Sequence, residues 1–216
     1  HNFGKYLVKG DSARAWLDRI MAGRIPNVGR LSLTPMLSQK GKLIGDFTVS
    51  CLAEDEFQLT ASYGSQAYHF RWFTQHQDDG VNIHNISDKR NGFQIAGPNA
   101  RAVLMDCTLS DVNEMKFMDV RPMTVGMTQC LVQRVRYTGD LGYEIYCDPM
   151  GQRDLWNTLW AKGQKHGMVP FGMRAMMSLR LDKFFGSWMS EFSPDYTAAE
   201  TGMDRFISFN KNTDFI

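Results

Sequence analysis

The chain has 216 residues, of which 24 are basic and 23 acidic, for a net charge of +1. Charge so evenly mixed leaves no electrostatic footprint for nucleic acid or an anionic membrane. With 43% hydrophobic and 22% charged residues the chain can bury one large core or two small ones, and no apolar run approaches the length that spans a bilayer.

Phe3 to Val8 reads as a strand that ends at Gly10. Asp11 or Ser12 can cap a helix that places Ala13, Trp16, Leu17, Ile20 and Met21 on one face. A Gly/Pro/Asn-rich connection follows. Leu31 to Leu37 reads as a strand broken at Pro35, Lys40 to Lys42 as a turn, and Leu43 to Leu52 as the returning strand. Phe57, Leu59 and Ala61 alternate along the next strand. Gln66 to Gln75 reads as a helix bulky with Tyr68, Phe70, Trp72 and Phe73.

Strands are then expected over Val81 to Ile86 and Gly92 to Ala96, and Gly97-Pro98-Asn99 opens a helix through Cys107. Further strands are expected over Lys116 to Val120 and Thr128 to Tyr146. Leu155, Trp156, Leu159 and Trp160 suit a helix ending near Gly163, and a final helix is expected from Met173 to Phe184. Strands come in adjacent pairs with helices between the pairs. That order favours an α+β fold with mostly antiparallel sheet over a doubly wound parallel one.

The sequence contains no G-x-G-x-x-G after a strand and no phosphate-cradling G-x-x-x-x-G-K-[ST]. Cys51, Cys107, Cys130 and Cys147 form no C-x-x-C pair, and no histidine stands at metal-ligand spacing from another, so no metal site is expected. The cysteines are read as buried, reduced thiols. Met115, Met118, Met123 and Met127, and a second group at Met168, Met173, Met176 and Met177, are read as adaptable core filler, with an apolar ligand slot as the alternative.

The run Arg136-Tyr137-Thr138-Gly139-Asp140-Leu141-Gly142-Tyr143-Glu144-Ile145 reads as strand, tight turn, strand. Gly139 and Gly142 offer the backbone freedom a turn uses. Tyr143 and Ile145 share one face of the second strand, and Glu144 points to the other. A lone acid there is ordinarily a solvated outer-face residue. The alternative is a carboxylate aimed into a pocket, where it accepts parallel N–H bonds from a flat heterocycle.

Four segments, in this order and spacing, resemble the folate-binding aminomethyltransferase family, which includes the glycine cleavage T-protein. They are Met36-Leu37 with Gly41 to Asp46, Gln94 to Ala100, Tyr137 to Ile145, and Ser178 to Lys183. Ser178 to Trp188 and Glu191 to Gly202 are similar to one branch of it, the C-terminal folate domains of flavin-dependent dimethylglycine and sarcosine dehydrogenases. The resemblance implies an aminomethyltransferase folate-binding fold over residues 1–216, with sub-lobes of about 1–88 and 89–190. The family's C-terminal barrel is lacking, as expected of a fragment of a longer protein.

The resemblance also implies tetrahydrofolate as cofactor. FAD would enter only through a domain absent from this chain. The implied partners are folate, an amine-derived one-carbon donor and a flavin-dependent dehydrogenase domain in cis or in trans. A bacterial cytoplasm or a mitochondrial matrix is the implied location. The implied catalytic residue is Asp46. The implied cofactor-binding residues are Tyr137, Glu144, Ser62, Met176 and Phe185.

Departures from the family's pattern are also legible. Gly45 stands where glycine cleavage T-proteins have a second aspartate, Leu33 replaces a tyrosine, Ser62 an asparagine and Met176 an arginine. A stand-alone tetrahydrofolate-dependent demethylase and a non-catalytic folate-binding module are the competing readings.

Overall fold

A computed structural model describes residues 3–211 and 213. The chain divides into two units. One is Asp88–Phe185, and the other joins the described parts of Asn2–Ser87 and Gly186–Ile216.

The first unit in chain order begins with β1 (Phe3–Lys9), α1 (Ala13–Ile20), β2 (Leu31–Leu37), β3 (Leu43–Ala53), β4 (Glu56–Ser62), α2 (Gln66–Gln75) and β5 (Asn82–Asn85). Its five strands form one antiparallel sheet in the order β2-β3-β4-β1-β5. Ala13, Trp16, Leu17 and Ile20 recur at the helical period, and all four are buried, so one face of α1 closes the core. Ser12 occupies the N-cap, but its hydroxyl makes no capping bond. Tyr6, Trp16, Phe47, Phe57 and Phe73 fill the main cluster. The chain from Gly186 onward returns to this unit. Leu43 N–H donates to the Tyr196 carbonyl at 2.9 Å, and Trp188, Phe192 and Met203 pack with Leu37 and Leu43 in a smaller cluster.

Pro35 does not break its strand. It pairs with Asp46 inside β2, and β2 lies at the sheet edge, where a missing N–H leaves no ladder bond unmade. Gly10 has φ +127°, and a Cβ there would lie 1.9 Å from the Gly80 carbonyl oxygen. Backbone cannot yield as a side chain can, so Gly10→Ala is expected to lower unfolding free energy by at least about 2 kcal/mol. Urea denaturation is the check.

The second unit holds β6 (Asn91–Ala96), α3 (Ala100–Met105), β7 (Val120–Val125), β8 (Thr128–Gln133), β9 (Gly142–Cys147), α4 (Gln152–Gly163) and α5 (Met173–Leu181). The antiparallel order is β6-β9-β8-β7, so β9 is a central strand, and every one of its residues is buried. Val103, Leu104, Met115, Val132, Tyr143, Ile145, Leu155 and Leu159 build the core on one face of this sheet.

Three expectations are corrected here. The segment 116–119 is a turn, and the strand begins at Val120. The expected strand, turn, strand over 128–146 has its first strand end at Gln133, and 134–141 is irregular backbone, so Arg136 and Tyr137 are not in a strand. The last helix ends at Leu181, and Phe184 has φ +55°. Of the two turn glycines, Gly139 has φ +86°, as a turn requires, whereas Gly142 is needed for space: a Cβ there would meet the Ile95 carbonyl oxygen at 2.9 Å.

All four cysteines are buried free thiols. Burial pushes the Cys107 thiol up to about 11 and the Cys130 thiol up to about 12. Among the described residues no helix is long and apolar enough to cross a membrane.

Candidate functional site

In the second unit the site is built on β9. Alternation sends Tyr143 and Ile145 into the core, and Glu144 and Tyr146 to the other face. That face is not solvated. Glu144 is only 5% exposed and Tyr146 fully buried, which overturns the outer-face reading of the acid. An ionised carboxylate is not left in such a place without donors. Oε1 accepts from Gln94 Nε2 at 2.8 Å, and Oε2 accepts from the Tyr146 hydroxyl at 2.6 Å. Register explains the first bond, because Gln94 on β6 and Gln133 on β8 are the cross-strand partners of Glu144. The three side chains form one polar row across the sheet. These bonds fix the carboxylate on the buried face of the sheet.

Tyr137 and Phe185, both half-buried, stack at 6.3 Å between ring centroids with 17° between their planes. Gly139 closes the turn after Tyr137, against the stem of Lys183. Arg180, buried near the end of α5, donates from Nη1 to the Phe185 carbonyl at 2.7 Å, which fixes the chain at the stacked ring.

Met176 is buried on α5 and lines an open hollow of about 560 Å³ together with Phe93, Trp156, Trp160, Met168 and Met173. Gln94, which holds Glu144, lines it too. Concave, mostly apolar space beside a fixed polar group is the usual make-up of a small-molecule site. Met168, Met173 and Met176 therefore serve the slot that was the alternative to core filler, while Met115 and Met123 are buried core as expected and Met127 is exposed.

In the first unit Asp46 lies on β3, opposite Pro35. Thr48 pairs with Leu33 on β2 and Thr60 on β4, so all of these share one face with Asp46. Continuing the β3–β4 register by two residues places Ser62 across from Asp46. The two positions that depart from the family pattern, Leu33 and Ser62, thus flank the implied catalytic acid. The residue as a whole is half-buried, but its Oδ1 is sealed from solvent and has no hydrogen-bond partner. Burial pushes the Asp46 carboxyl up to about 6, opposed in lesser degree by its own backbone N–H. A carboxyl poised there can hold or release a proton near neutral pH.

Sequence reasoning missed Gln94, Gln133 and Tyr146 as the setting of Glu144. Strand alternation carried a signal for Tyr146, two residues from the acid. It also missed His69, treated as one of five scattered histidines; it is buried on α2 with neither ring nitrogen in a well-formed hydrogen bond.

Of the residues expected at the site, Met176 lines the hollow, whereas Tyr137, Glu144 and Phe185 are not among its lining residues. Comparison with known proteins identifies the family. The family model described as the GCVT N-terminal domain matches residues 1–211, and the chain belongs to that family. It is 35% identical to the mitochondrial dimethylglycine dehydrogenase of Homo sapiens over 99% of this chain and 25% of that protein. It is 27% identical to an aminomethyltransferase of Natranaerobius thermophilus over 100% of this chain and 60% of that one. The fold superimposes on the glycine cleavage system aminomethyltransferase T of Bartonella henselae with a TM-score of 0.87 at 23% identity, over 97% of this chain and 56% of that one. The chain thus spans a quarter of the human dehydrogenase and roughly three-fifths of the aminomethyltransferases.

Proposed function

We propose that this chain accepts a one-carbon unit from an oxidised N-methyl amine of the dimethylglycine or sarcosine type and transfers it to tetrahydrofolate, giving 5,10-methylenetetrahydrofolate. The observation that carries the reading is Asp46: a strand carboxyl at the family's acid position, with one oxygen sealed and unpartnered and its proton affinity raised toward neutrality. The human relative is named for dimethylglycine, which supports the donor class.

Tetrahydrofolate, when bound, supplies the nitrogens that take up the one-carbon unit. Glu144 would meet paired N–H donors as a bidentate carboxylate does. Tyr137 and Phe185 present aromatic faces on which a flat ring packs, and Ser62 and Met176 complete the polar and apolar contacts at their positions. Asp46 would stabilise positive charge as it develops on nitrogen and accept the proton released when the new C–N bond forms, returning it to the demethylated amine as the old C–N bond breaks. The imine arises on a flavin-dependent dehydrogenase domain in cis or in trans, in a bacterial cytoplasm or a mitochondrial matrix.

The test uses the complete natural polypeptide with dimethylglycine or sarcosine, an electron acceptor and tetrahydrofolate. Formation of 5,10-methylenetetrahydrofolate supports the reading. Accumulation of 5-methyltetrahydrofolate, or of free formaldehyde at the same rate with and without folate, overturns it.

A further inference from the structure

His69 is fully buried, and among the described residues the one polar group that acts on its ring is the Ile44 backbone, at a geometry too poor for a well-formed hydrogen bond. A buried imidazole so weakly satisfied is costly, and a histidine kept that way calls for a reason. The ring is boxed by aromatic side chains. Its centroid lies 4.8 Å from Phe47, 5.6 Å from Trp188, 6.0 Å from Tyr68 and 6.4 Å from Tyr6. The remaining wall is the backbone of β3. A Cβ at Gly45 would lie 2.6 Å from His69 Nε2 and 2.6 Å from the Phe47 ring, so the imidazole and that ring together occupy the space a side chain at position 45 would need.

That contact falls at a break in the ladder. Met36 pairs with Gly45 but Leu37 pairs with Leu43, leaving Ile44 as the extra residue of a bulge. A bulge re-aims the side chains that follow it, and the next residue is Asp46. Gly45 turns its open side toward His69, so Asp46 projects from the opposite face of β3. The imidazole and the carboxyl do not meet. Whatever His69 does for Asp46 passes through the backbone of residues 44 and 45.

We propose that His69 is a positioning residue for Asp46, filling the space at Gly45 and fixing the bulge that aims the carboxyl. This rests on the reading of Asp46 as the reacting acid. The same packing joins the residues at 45, 47 and 69: the imidazole and the Phe47 ring together leave room only for glycine at 45. Burial holds the imidazole down to about 4, against a weaker opposing pull from the Ile44 backbone, so it is neutral wherever the enzyme works. The Tyr6 and Tyr68 phenols face it from β1 and α2, and burial raises both, which keeps them neutral as well.

The test compares His69→Leu and His69→Gln with the wild type in the complete natural polypeptide. His69→Leu keeps an apolar side chain of similar bulk at the site and removes the weakly satisfied ring nitrogens, so its melting temperature is expected to be unchanged or higher. Its kcat is expected to fall about tenfold with KM for tetrahydrofolate changed less than about twofold, and the acidic limb of its kcat–pH profile to move toward the ordinary carboxylate range. His69→Gln, which can refill the space at Gly45, is expected to recover part of kcat. Wild-type kcat and pH profile in His69→Leu overturn the proposal if Asp46→Ala is inactive. If Asp46→Ala itself turns over normally, the underlying reading of the acid fails instead.

Discussion

Replacing Asp46 by alanine is expected to cut one-carbon transfer by at least about a thousandfold, the scale of losing a positioned acid–base group together with its charge stabilisation. Folding should survive, because the residue is half-buried, its Oδ1 accepts no hydrogen bond, and no other side chain would lose a partner. Asp46→Asn separates the chemistry from the fold through pH. Burial pushes the folded carboxyl up to about 6 from its ordinary value of 3.8. Between those values the folded chain keeps a proton that the unfolded chain has released, so stability falls as pH rises through the window. Above it the buried charge costs on the order of 2 kcal/mol. Asp46→Asn should therefore be more stable than the wild type by about that amount at about pH 8, and the gain should vanish below about pH 4. Denaturant titrations at the two pH values measure it. A gain independent of pH would mean the acid is ionised without penalty. The wild-type kcat should rise with pH through about 6, as Asp46 ionises.

The second large effect concerns Glu144. Its carboxylate receives donors on both oxygens, from Gln94 and Tyr146. Glu144→Gln turns one acceptor into a donor that faces a donor. The dissociation constant for tetrahydrofolate is expected to rise about tenfold to a hundredfold, the usual worth of one or two charge-assisted hydrogen bonds. Stability should fall by about 1–3 kcal/mol, since a buried donor is left without its acceptor. Glu144→Ala should cost more, because it orphans both donors and opens a cavity beside a central strand. Calorimetric titration with tetrahydrofolate and thermal unfolding of the same samples report the two effects separately. An unchanged dissociation constant in a folded Glu144→Gln protein would remove the residue from the folate site and leave it a structural role only.

These two acids show how far the sequence carries. Gln66–Gln75 was readable to the residue because bulky aromatics repeat between clear punctuation, and β1, β3 and β4 because their apolar residues alternate or run between turns. Pro35 misled because propensity cannot report that a strand lies at an edge, where proline is tolerated. The 134–137 stretch misled because Val135 and Tyr137 alternate with Arg134 and Arg136 while the backbone turns away after Gln133. The environment of Glu144 was not legible. One carboxylate on an alternating strand looks the same whether its face meets water or is buried, and the difference is made by Gln94, fifty residues earlier. The role of Gly45 was hidden for a like reason. Its missing side chain has meaning only once α2 brings His69 against it.

The central claim is that Asp46 completes one-carbon transfer to tetrahydrofolate. The most direct measurement follows a carbon-13 methyl label from dimethylglycine or sarcosine by NMR, in the complete polypeptide with tetrahydrofolate present, for the wild type and for Asp46→Ala. The label is expected in 5,10-methylenetetrahydrofolate with the wild type and in free formaldehyde with the variant. Enzyme-bound transfer at the same rate in both would contradict it.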